Sequence, residues 1–375
     1  MKTVMTLKET CEFYNGTGFP TAYQGKTAGK YPFYKVGDIS RNVQIGNSYL
    51  QECDNYVNDE TLSQLRGVIV PANSIAFAKI GEALKLNRRT ITSTPCLVDN
   101  NVIAIHPNEE ILDVEYFYYF MKTVNMADYS SSTTVPSVKK SSLEKIVVPT
   151  PELNEQKRIS SELNTLSVAI RSKKDELYSL DELVKSRFIE MFGDCKKITL
   201  QKFCKFQQGT QVPIELQSEQ QKDGYLRFLR IIDYTQAPQI PRYVNVKGKI
   251  VDEQSVVVVR YGASAGFVGK GYSGILANNL FEIIPDESIM SKYFLYCALK
   301  YGNFESEISK KCAGVAMPAL SFGIMKDMEI YNPLIELQNE FAEFVKLIDK
   351  SKFIVQQQIK DLQELLDSKM DEYFR

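Results

Sequence analysis

Thr6-Leu-Lys-Glu-Thr-Cys-Glu-Phe-Tyr-Asn-Gly-Thr-Gly-Phe-Pro20 recurs 193 residues later in the same chain as Thr199-Leu-Gln-Lys-Phe-Cys-Lys-Phe-Gln-Gln-Gly-Thr-Gln-Val-Pro213. Further along, Asn100-Asn101 and Pro107 correspond to Asn278-Asn279 and Pro285 at an offset of 178. The segment 135–138 corresponds to 317–320 at an offset of 182, which then holds to residue 375. A repeat on this scale predicts two similar structures in one chain, related by a pseudo-twofold axis.

Each half combines short strand patterns with one helical pattern. The composition, 44% hydrophobic and 24% charged, is that of a folded protein with substantial cores. In the first half we predict strands at Gly67–Val70, Ser74–Ala78 and Val102–Ile105 and a helix at Val114–Lys122. In the second half we predict strands at Leu226–Ile232, Ser255–Arg260 and Leu280–Ile284 and a helix at Ser291–Lys300.

A long helix with a coiled-coil pattern follows each half, after Pro151 and after Pro333. Both helices repeat mostly apolar residues at alternating steps of four and three, which is typical of a coiled-coil seam. The positions are Ile159, Leu163, Leu166, Ile170, Lys173, Leu177, Leu180, Val184, Arg187 and Met191, and then Phe341, Val345, Ile348, Lys352, Val355, Ile359, Leu362, Leu366, Lys369 and Tyr373. Each helix should be about 57 Å long at about 1.5 Å per residue.

These patterns predict an α+β fold with two similar mixed α/β domains and two long helices. We assign the domains to 1–150 and 195–332, the central helix to 151–194 and the C-terminal helix to 333–375. The duplication favours antiparallel pairing of the helices within the chain, which would hold the domains a fixed distance apart. Helices that pair between molecules are the alternative, and the two arrangements do not exclude each other.

Signatures of catalysis and of metal binding are missing from the sequence. The chain has one histidine, His106, and its seven cysteines form no CxxC pair, so a zinc site is not expected. Gly269–Gly274 matches GxGxxG, but it leads into a strand pattern and not into the helix that a dinucleotide site requires. No phosphate-binding P-loop, GxSxG elbow or Asn-Pro-Pro-aromatic motif occurs. We therefore predict a non-catalytic chain without a metal or cofactor of its own.

The sequence also predicts a cytoplasmic location. Its longest apolar runs are far too short to span a bilayer, and residues 1–30 do not have the pattern of a secretory signal. An odd number of cysteines without framework spacing fits reduced thiols.

Several polar residues at repeated positions suit contacts with DNA. A cation followed by glycine at a strand end permits close approach to a phosphate or a base edge, and hydroxyl- and lysine-rich loops suit phosphates. A solvated strand end, a structural turn or an ordinary exposed loop is the alternative at each position. The candidate DNA-binding residues are Gly16, Thr17, Lys79, Gly81, Arg88, Arg89, Ser132, Thr133, Lys139, Lys140, Gly209, Thr210, Arg230, Arg260, Gly262, Ser264, Lys310 and Lys311.

The entry to the first long helix resembles a known family. Ile146-Val-Val-Pro-Thr-Pro-Glu-Leu-Asn-Glu-Gln-Lys-Arg-Ile159 is similar to the segment that enters the conserved helix of specificity subunits of Type I restriction–modification systems. A diverged copy without the Glu-Gln-Lys-Arg stretch stands at Met328–Gln338. The resemblance covers the whole chain as target recognition domain, helix, target recognition domain, helix.

This resemblance implies a DNA-recognition subunit of an enzyme complex. Each target recognition domain would read one half of an interrupted site in double-stranded DNA, and the helices would dock two methyltransferase subunits. Those subunits would bring S-adenosylmethionine and methylate adenine by base flipping. Translocating endonuclease subunits with their own ATP and Mg could join. The net charge of −1 agrees with a chain that borrows positive charge from partners when it binds DNA.

Three alternatives remain open from the sequence. The chain could be the specificity fragment of a fused Type II restriction–methylation enzyme, although such enzymes carry methyltransferase motifs. It could be a coiled-coil scaffold without DNA binding, which predicts no salt-dependent affinity for DNA. A decoy or anti-restriction role is the third.

Overall fold

A computed structural model describes residues 4–51, 53–131, 135–236, 239–302, 304–311 and 320–375. The chain divides into two compact units. Unit 1 consists of Met1–Asp175 and Gln356–Arg375, and unit 2 of Glu176–Val355. Each unit therefore contains one part of each long helix. The four predicted segments cut the chain at different points, and their boundaries stay a prediction.

The first half of the chain alternates short strands and short helices. Over its described residues these are β1 Val4–Thr6, α1 Leu7–Thr10, β2 Cys11–Asn15, β3 Tyr31–Tyr34, α2 Val36–Gln44, β4 Tyr56–Val57, α3 Asp59–Leu65, β5 Ile75–Ala78, α4 Glu82–Lys85, β6 Thr90–Ile91, β7 Leu97–Val98, β8 Val102–Pro107, α5 Val114–Thr123, α6 Lys140–Leu143, β9 Val147–Pro149 and the long helix α7 Leu153–Phe192.

Unit 1 is built on an antiparallel sheet in the order β2-β8-β5-β6. A mixed sheet, β4-β3-β7, contains the parallel pair β3 and β7, and β1 pairs with β9. Helix α5 is apolar on nearly every side, and Tyr116–Met121 are all buried. They pack in one core with Ile75 and Ile105 of the antiparallel sheet and with Leu163 of α7.

The second half of the chain repeats this plan. The elements in its described part are β10 Lys197–Thr199, β11 Cys204–Gln208, β12 Leu226–Leu229, α8 Ile231–Thr235, β13 Arg242–Val244, β14 Ile250–Val251, β15 Val256–Val259, β16 Val268–Gly269, β17 Gly274–Leu276, β18 Leu280–Pro285, α9 Lys292–Tyr301, α10 Phe304–Lys311, α11 Phe322–Lys326, β19 Glu329–Tyr331 and the long helix α12 Ile335–Phe374.

The sheets of unit 2 match those of unit 1, except that the mixed sheet of unit 2 has one additional strand. The order β11-β18-β15-β16 corresponds to β2-β8-β5-β6, and the parallel pair β12 and β17 corresponds to β3 and β7. Strand β14 pairs with the outer side of β17. The predicted duplication and the α+β class are therefore confirmed.

Two predicted strands differ from the structure. Leu226–Ile232 is not one strand, because β12 ends at Leu229 and α8 begins at Ile231. The buried Asp233 carboxylate accepts a hydrogen bond from the Arg230 backbone N–H at 2.9 Å, which starts the helix. In the segment Gly67–Val70, only Val70 is bridged, to Cys96, so the predicted strand is wrong.

The long helices run antiparallel within each unit. In unit 1, Lys369 Nζ of α12 lies 3.3 Å from a carboxylate oxygen of Glu162 of α7, and the Tyr373 hydroxyl donates to the same carboxylate at 2.6 Å. In unit 2, Lys352 is ion-paired with Asp181, and Arg187 lies 3.6 Å from Glu340. In these contacts, residues later in α7 meet residues earlier in α12. The predicted antiparallel pairing is therefore confirmed.

The heptad pattern predicted only part of the buried face of α7. Val184 is buried as predicted, but Phe188 and Phe192 are also completely buried, whereas Arg187 is partly exposed. The Phe188 and Phe192 rings pack on Phe294 of α9 and on Phe341 of α12. The helix therefore packs against the domain as well as against its partner helix. Among the described residues, no helix combines the length and the hydropathy of a membrane span.

Candidate nucleic-acid interface

Lys79 and Arg260 lie at the same place in the two units. Each directly follows the strand, β5 or β15, that pairs with the second strand of the antiparallel sheet. The Lys79 N–H donates to the Asn101 carbonyl at 2.8 Å, and the Arg260 N–H donates to the Asn279 carbonyl at 2.9 Å. The carbonyls of Lys79 and Arg260 accept hydrogen bonds from the N–H groups of Val138 and Leu320 at 2.9 and 2.8 Å. The predicted equivalence of the two positions is therefore confirmed.

Each cation is followed, two residues later, by a glycine in the left-handed region. The φ angles are 75° at Gly81 and 84° at Gly262. A side chain at either position would strain the backbone, although a Cβ placed there would meet no atom of the described residues within 4 Å. The glycines therefore serve backbone conformation and leave open space beside the cations.

In unit 1 this surface carries several lysines. Lys79 Nζ donates to Asn15 Oδ1 at 3.3 Å, and its partial burial lowers the pKa of Lys79 against the opposing effect of Asp99. The Nζ atom of Lys140 lies 5.5 Å from the centre of the Phe13 ring and 3.9 Å from a carboxylate oxygen of Glu144. Lys139 is exposed next to it.

In unit 2 the corresponding surface carries an arginine on an aromatic platform. The Arg260 guanidinium carbon lies 5.4 Å from the centre of the Phe322 ring and 4.8 Å from that of Tyr261. Phe322 in turn packs against Phe281 at 5.4 Å and Phe206 at 6.2 Å between ring centres. The Phe322 and Tyr261 rings attract the guanidinium and hold its charge near the surface.

The Gly-Thr pairs of the repeat have a structural role that the geometry explains. A Cβ on Gly16 would lie 1.8 Å from the Asp99 carbonyl oxygen, and one on Gly209 would lie 2.0 Å from that of Ala277. The Thr210 hydroxyl accepts a hydrogen bond from the Lys249 N–H at 2.9 Å, and the Thr17 hydroxyl accepts one from the Val68 N–H at 3.4 Å. The structure thus favours the turn alternative for both pairs, and their contact with DNA stays a prediction.

Arg89 is a correction to the predicted DNA contacts. Its side chain is buried, stacks 4.5 Å over the Phe77 ring and donates to the carbonyl of Val124 at 3.2 Å and to Asn87 Oδ1 at 2.6 Å. Burial lowers the pKa of Arg89 to about 9. The guanidinium supports the core of unit 1 and has no access to a ligand. Its neighbour Arg88 is partly exposed and remains a candidate.

The remaining candidates fall into three groups. Most of the Arg230 donors are used within the protein, because Arg230 pairs with Asp233 at 3.0 Å and donates to the Ile240 carbonyl at 2.9 Å. Ser264 is partly exposed in the turn after Gly262, and Lys310 is exposed on α10. Ser132 and Thr133 lie outside the described residues, and Lys311 belongs to α10 with a side chain outside the described part.

Two glutamines are structurally important residues that the sequence reasoning did not identify. Gln156 of α7 is completely buried, accepts a hydrogen bond from the Asp113 N–H at 2.9 Å and donates to the carbonyls of Ile111 and Pro151, both at 2.8 Å. Gln338 of α12 makes the same three bonds, to the Ser291 N–H at 3.1 Å and to the carbonyls of Ile289 and Pro333 at 2.9 and 3.0 Å.

Each glutamine joins the start of a long helix to the N-cap residue of α5 or α9. The available signal was that glutamine persists at offset 182 although the residues around it diverge. Among the described residues, no three His, Cys, Asp or Glu side chains lie close enough together to hold a metal ion.

Comparison with known proteins agrees with this architecture. The chain matches the model of the Type I restriction modification DNA specificity domain twice, over residues 2–181 and 193–364. It is 22% identical to the Type I restriction enzyme MjaIX specificity subunit of Methanocaldococcus jannaschii, over 97% of this chain and 90% of that protein. It is 26% identical to the EcoR124I/EcoR124II specificity subunit of Escherichia coli, over 41% of this chain and 38% of that protein.

Two solved structures share the fold over the full length of the chain. The S subunit of a Type I restriction–modification system from M. genitalium has a TM-score of 0.56 at 16% identity, with 96% of that chain covered. A chain from a study of complex assembly and conformational transition of the Type I system has a TM-score of 0.60 at 15% identity, with 97% covered. With two copies of the specificity domain and this fold, the chain belongs to the Type I restriction–modification DNA specificity family.

Proposed function

We propose that this chain reads a bipartite site in double-stranded DNA, one half with the Lys79 surface of unit 1 and the other with the Arg260 surface of unit 2. The observation that carries this proposal is the repeated strand end. The same backbone hydrogen bonds hold a cation beside an open, positive-φ glycine in both units. A cation and an accessible backbone are the groups that contact phosphates and base edges.

The residues around the repeated scaffold differ between the units, as recognition of two different half-sites requires. After the glycine, unit 1 has Glu82–Lys85, with a Glu82–Lys85 ion pair, and unit 2 has Ala263–Gly266. Lys139 and Lys140 in unit 1 and Lys310 in unit 2 are further sources of positive charge near the phosphate backbone. Direct contacts of side chains with base edges would set the sequence that is read.

We further propose that the long helices dock two methyltransferase subunits. Both helices expose large apolar side chains that a partner would cover: Val168, Tyr178, Leu183 and Ile189 on α7, and Leu347, Phe353, Ile354 and Leu365 on α12. S-adenosylmethionine would bind to those partners, which would flip and methylate a base. Endonuclease subunits that use ATP and Mg would associate with the same complex. The chain itself would contribute recognition without catalysis, in the cytoplasm where the DNA is.

The test is to co-express the chain with the methyltransferase subunit of its own system and to map methylated bases in the host DNA by long-read sequencing. The expected result is one bipartite motif with a fixed gap. A stable complex that produces no new methylation would overturn the proposal and favour a scaffold. Lys79→Ala and Arg260→Ala serve as controls for each other, because each should weaken recognition of a different half of the motif. Equal losses across both halves would contradict the assignment of one surface to each half.

A further inference from the structure

We infer that Arg260 is a specificity-determining residue that reads a guanine in the half-site bound by unit 2. This inference rests on the proposed function and names the base that one of its two surfaces selects. Three observations carry it: no carboxylate among the described side chains pairs with Arg260, a rigid platform lies under its side chain, and the same position in unit 1 holds a lysine.

Arg260 differs from the other arginines of unit 2 in its electrostatic partners. Arg187 pairs with Glu190 at 3.0 Å, Arg242 pairs with Glu219 at 2.7 Å, and Arg227 and Arg230 share Asp233 at 3.4 and 3.0 Å. Among the described side chains of the unit, Arg260 alone of the arginines has no carboxylate within 4 Å. No described carboxylate therefore occupies its donors, which are available to an external acceptor.

The side chain is nevertheless held in place. Two hydrogen bonds fix the backbone of Arg260. Its N–H donates to the Asn279 carbonyl, and its carbonyl accepts from the Leu320 N–H. The guanidinium lies over Phe322, which packs against the completely buried Phe281. A side chain that is already ordered loses little conformational entropy on binding, so its geometry can discriminate between bases.

The geometry of a guanidinium favours one base. Its parallel N–H donors match two acceptors side by side, and in the major groove guanine presents such a pair, O6 and N7. No atom of the described residues lies within 4 Å of a Cβ placed at Gly262, two residues away, so a base edge can approach there. Lys79 is a point charge without this directionality, so the corresponding position in the half-site of unit 1 carries no such requirement.

The experiment compares methylation motifs of the complete methyltransferase complex that contains the wild-type chain, Arg260→Lys, Arg260→Gln or Phe322→Leu. Arg260 variants, and not Lys79 variants, should alter the half of the motif that unit 2 binds. In the wild-type motif, that half should contain an invariant G·C pair. Arg260→Lys keeps the positive charge and removes the paired donors. It should reduce the preference at that one position by a factor on the order of 5 to 150, which corresponds to one bidentate contact. Phe322→Leu removes the platform and should give a smaller loss at the same position.

The outcomes separate this inference from the proposed function. If the wild-type complex produces no bipartite motif, the proposed function fails and the inference fails with it. If a bipartite motif exists but the relevant half lacks an invariant G·C pair, the inference alone is wrong. It is also wrong if Arg260→Lys leaves the motif intact, or if Arg260→Gln lowers methylation evenly at all matching sites, because uniform loss indicates a phosphate contact. Thermal unfolding of each variant complex excludes loss of folding as the cause.

Discussion

The two units use the same backbone to present different chemistry at one place. Position 140 of unit 1 and position 322 of unit 2 are related by the offset of 182, and they hold a lysine and a phenylalanine. In unit 1, Lys140 lies over the Phe13 ring, so two lysines, Lys79 and Lys140, share the surface. In unit 2, Phe322 lies against the equivalent aromatic, Phe206, and supports a single arginine.

This difference shows which parts of the repeat are fixed. The strand pairing, the hydrogen bonds to residues 101 and 279, and the positive-φ glycines are the same in both units. The cation has changed from Lys79 to Arg260, and the repeat-equivalent residue nearby has changed from Lys140 to Phe322. The scaffold therefore tolerates exchange of the cation next to the positive-φ glycine, which is what variation in DNA specificity requires.

The largest expected effect concerns a feature that the two units share. Gln156→Ala should destabilise unit 1 and Gln338→Ala should destabilise unit 2, each by about 3 kcal/mol, because one buried N–H and two buried carbonyls lose their partner. Hydrogen exchange, read separately for the two units, measures this. Gln357→Ala, at an exposed position of α12, is the matched control and should change little. A loss spread equally over both units by either variant would show that the glutamines do not act locally.

The second effect is confined to unit 1. Arg89→Ala should lower the free energy of unfolding by about 2 kcal/mol, because it removes a buried side chain that packs on Phe77 and donates to Asn87 and Val124. The salt dependence of DNA binding should stay the same, since Arg89 has no access to phosphates. Thermal unfolding and salt titrations of DNA binding by the assembled complex measure the two quantities. Arg88→Ala is the matched variant. If Arg89→Ala flattened the salt dependence, the structural role would be contradicted.

A third difference lies in the helix seam. Lys352 in unit 2 has a side chain that is 15% exposed, whereas its repeat equivalent in unit 1 is the buried Ile170. Lys352→Ile should stabilise unit 2 by about 1 kcal/mol, since the pair with the exposed Asp181 contributes little and apolar burial contributes more. Denaturant unfolding measures this, and Lys350→Ile at an exposed site is the control. A lower stability would indicate that Lys352 is required for the register of the seam.

The smallest expected effect is a pH dependence that distinguishes the two surfaces. Burial lowers the pKa of Lys79, so as the pH rises its ammonium loses its proton earlier than an exposed lysine would. An arginine in contact with solvent keeps its charge over the same range. Raising the pH above neutral should therefore weaken recognition of the half-site of unit 1 before that of unit 2. Binding of the complex to duplexes that carry changes in one half measures this. Lys79→Arg should abolish the difference, and a difference that survives this substitution would exclude Lys79 as its source.

The sequence predicted features that depend on local pattern and on the repeat. The helix at Val114–Lys122, the strand at Ser255–Arg260 and the equivalence of Lys79 and Arg260 follow from periodicity and from constant offsets. Features that depend on tertiary packing were missed. Phe188 and Phe192 lie off the heptad stripe because they face the domain and the stripe describes only the contact between helices.

The same limit applied to the candidate site. Nothing in the adjacent pair Arg88-Arg89 shows that one side chain is buried and the other is not, because burial depends on the distant Phe77 and Val124. The hydrogen bonds of the two glutamines could not be predicted, because a buried glutamine looks the same in the sequence as an exposed one. The repeat alone could have identified Gln156 and Gln338, since an unchanged residue within a diverged segment indicates a shared structural role.

The discontinuity of unit 1 has a consequence for biosynthesis. Its core includes Leu366 and Met370 of α12, and these residues follow all of unit 2 along the chain. A ribosome that adds about 5–20 residues per second needs on the order of 10–40 s to synthesise the intervening segment. Unit 2 is continuous and can complete its core during that time, whereas the first domain to leave the ribosome waits with its aromatic helix α5 partly uncovered. The nascent N-terminal half is therefore the part of the chain that a chaperone would need to protect.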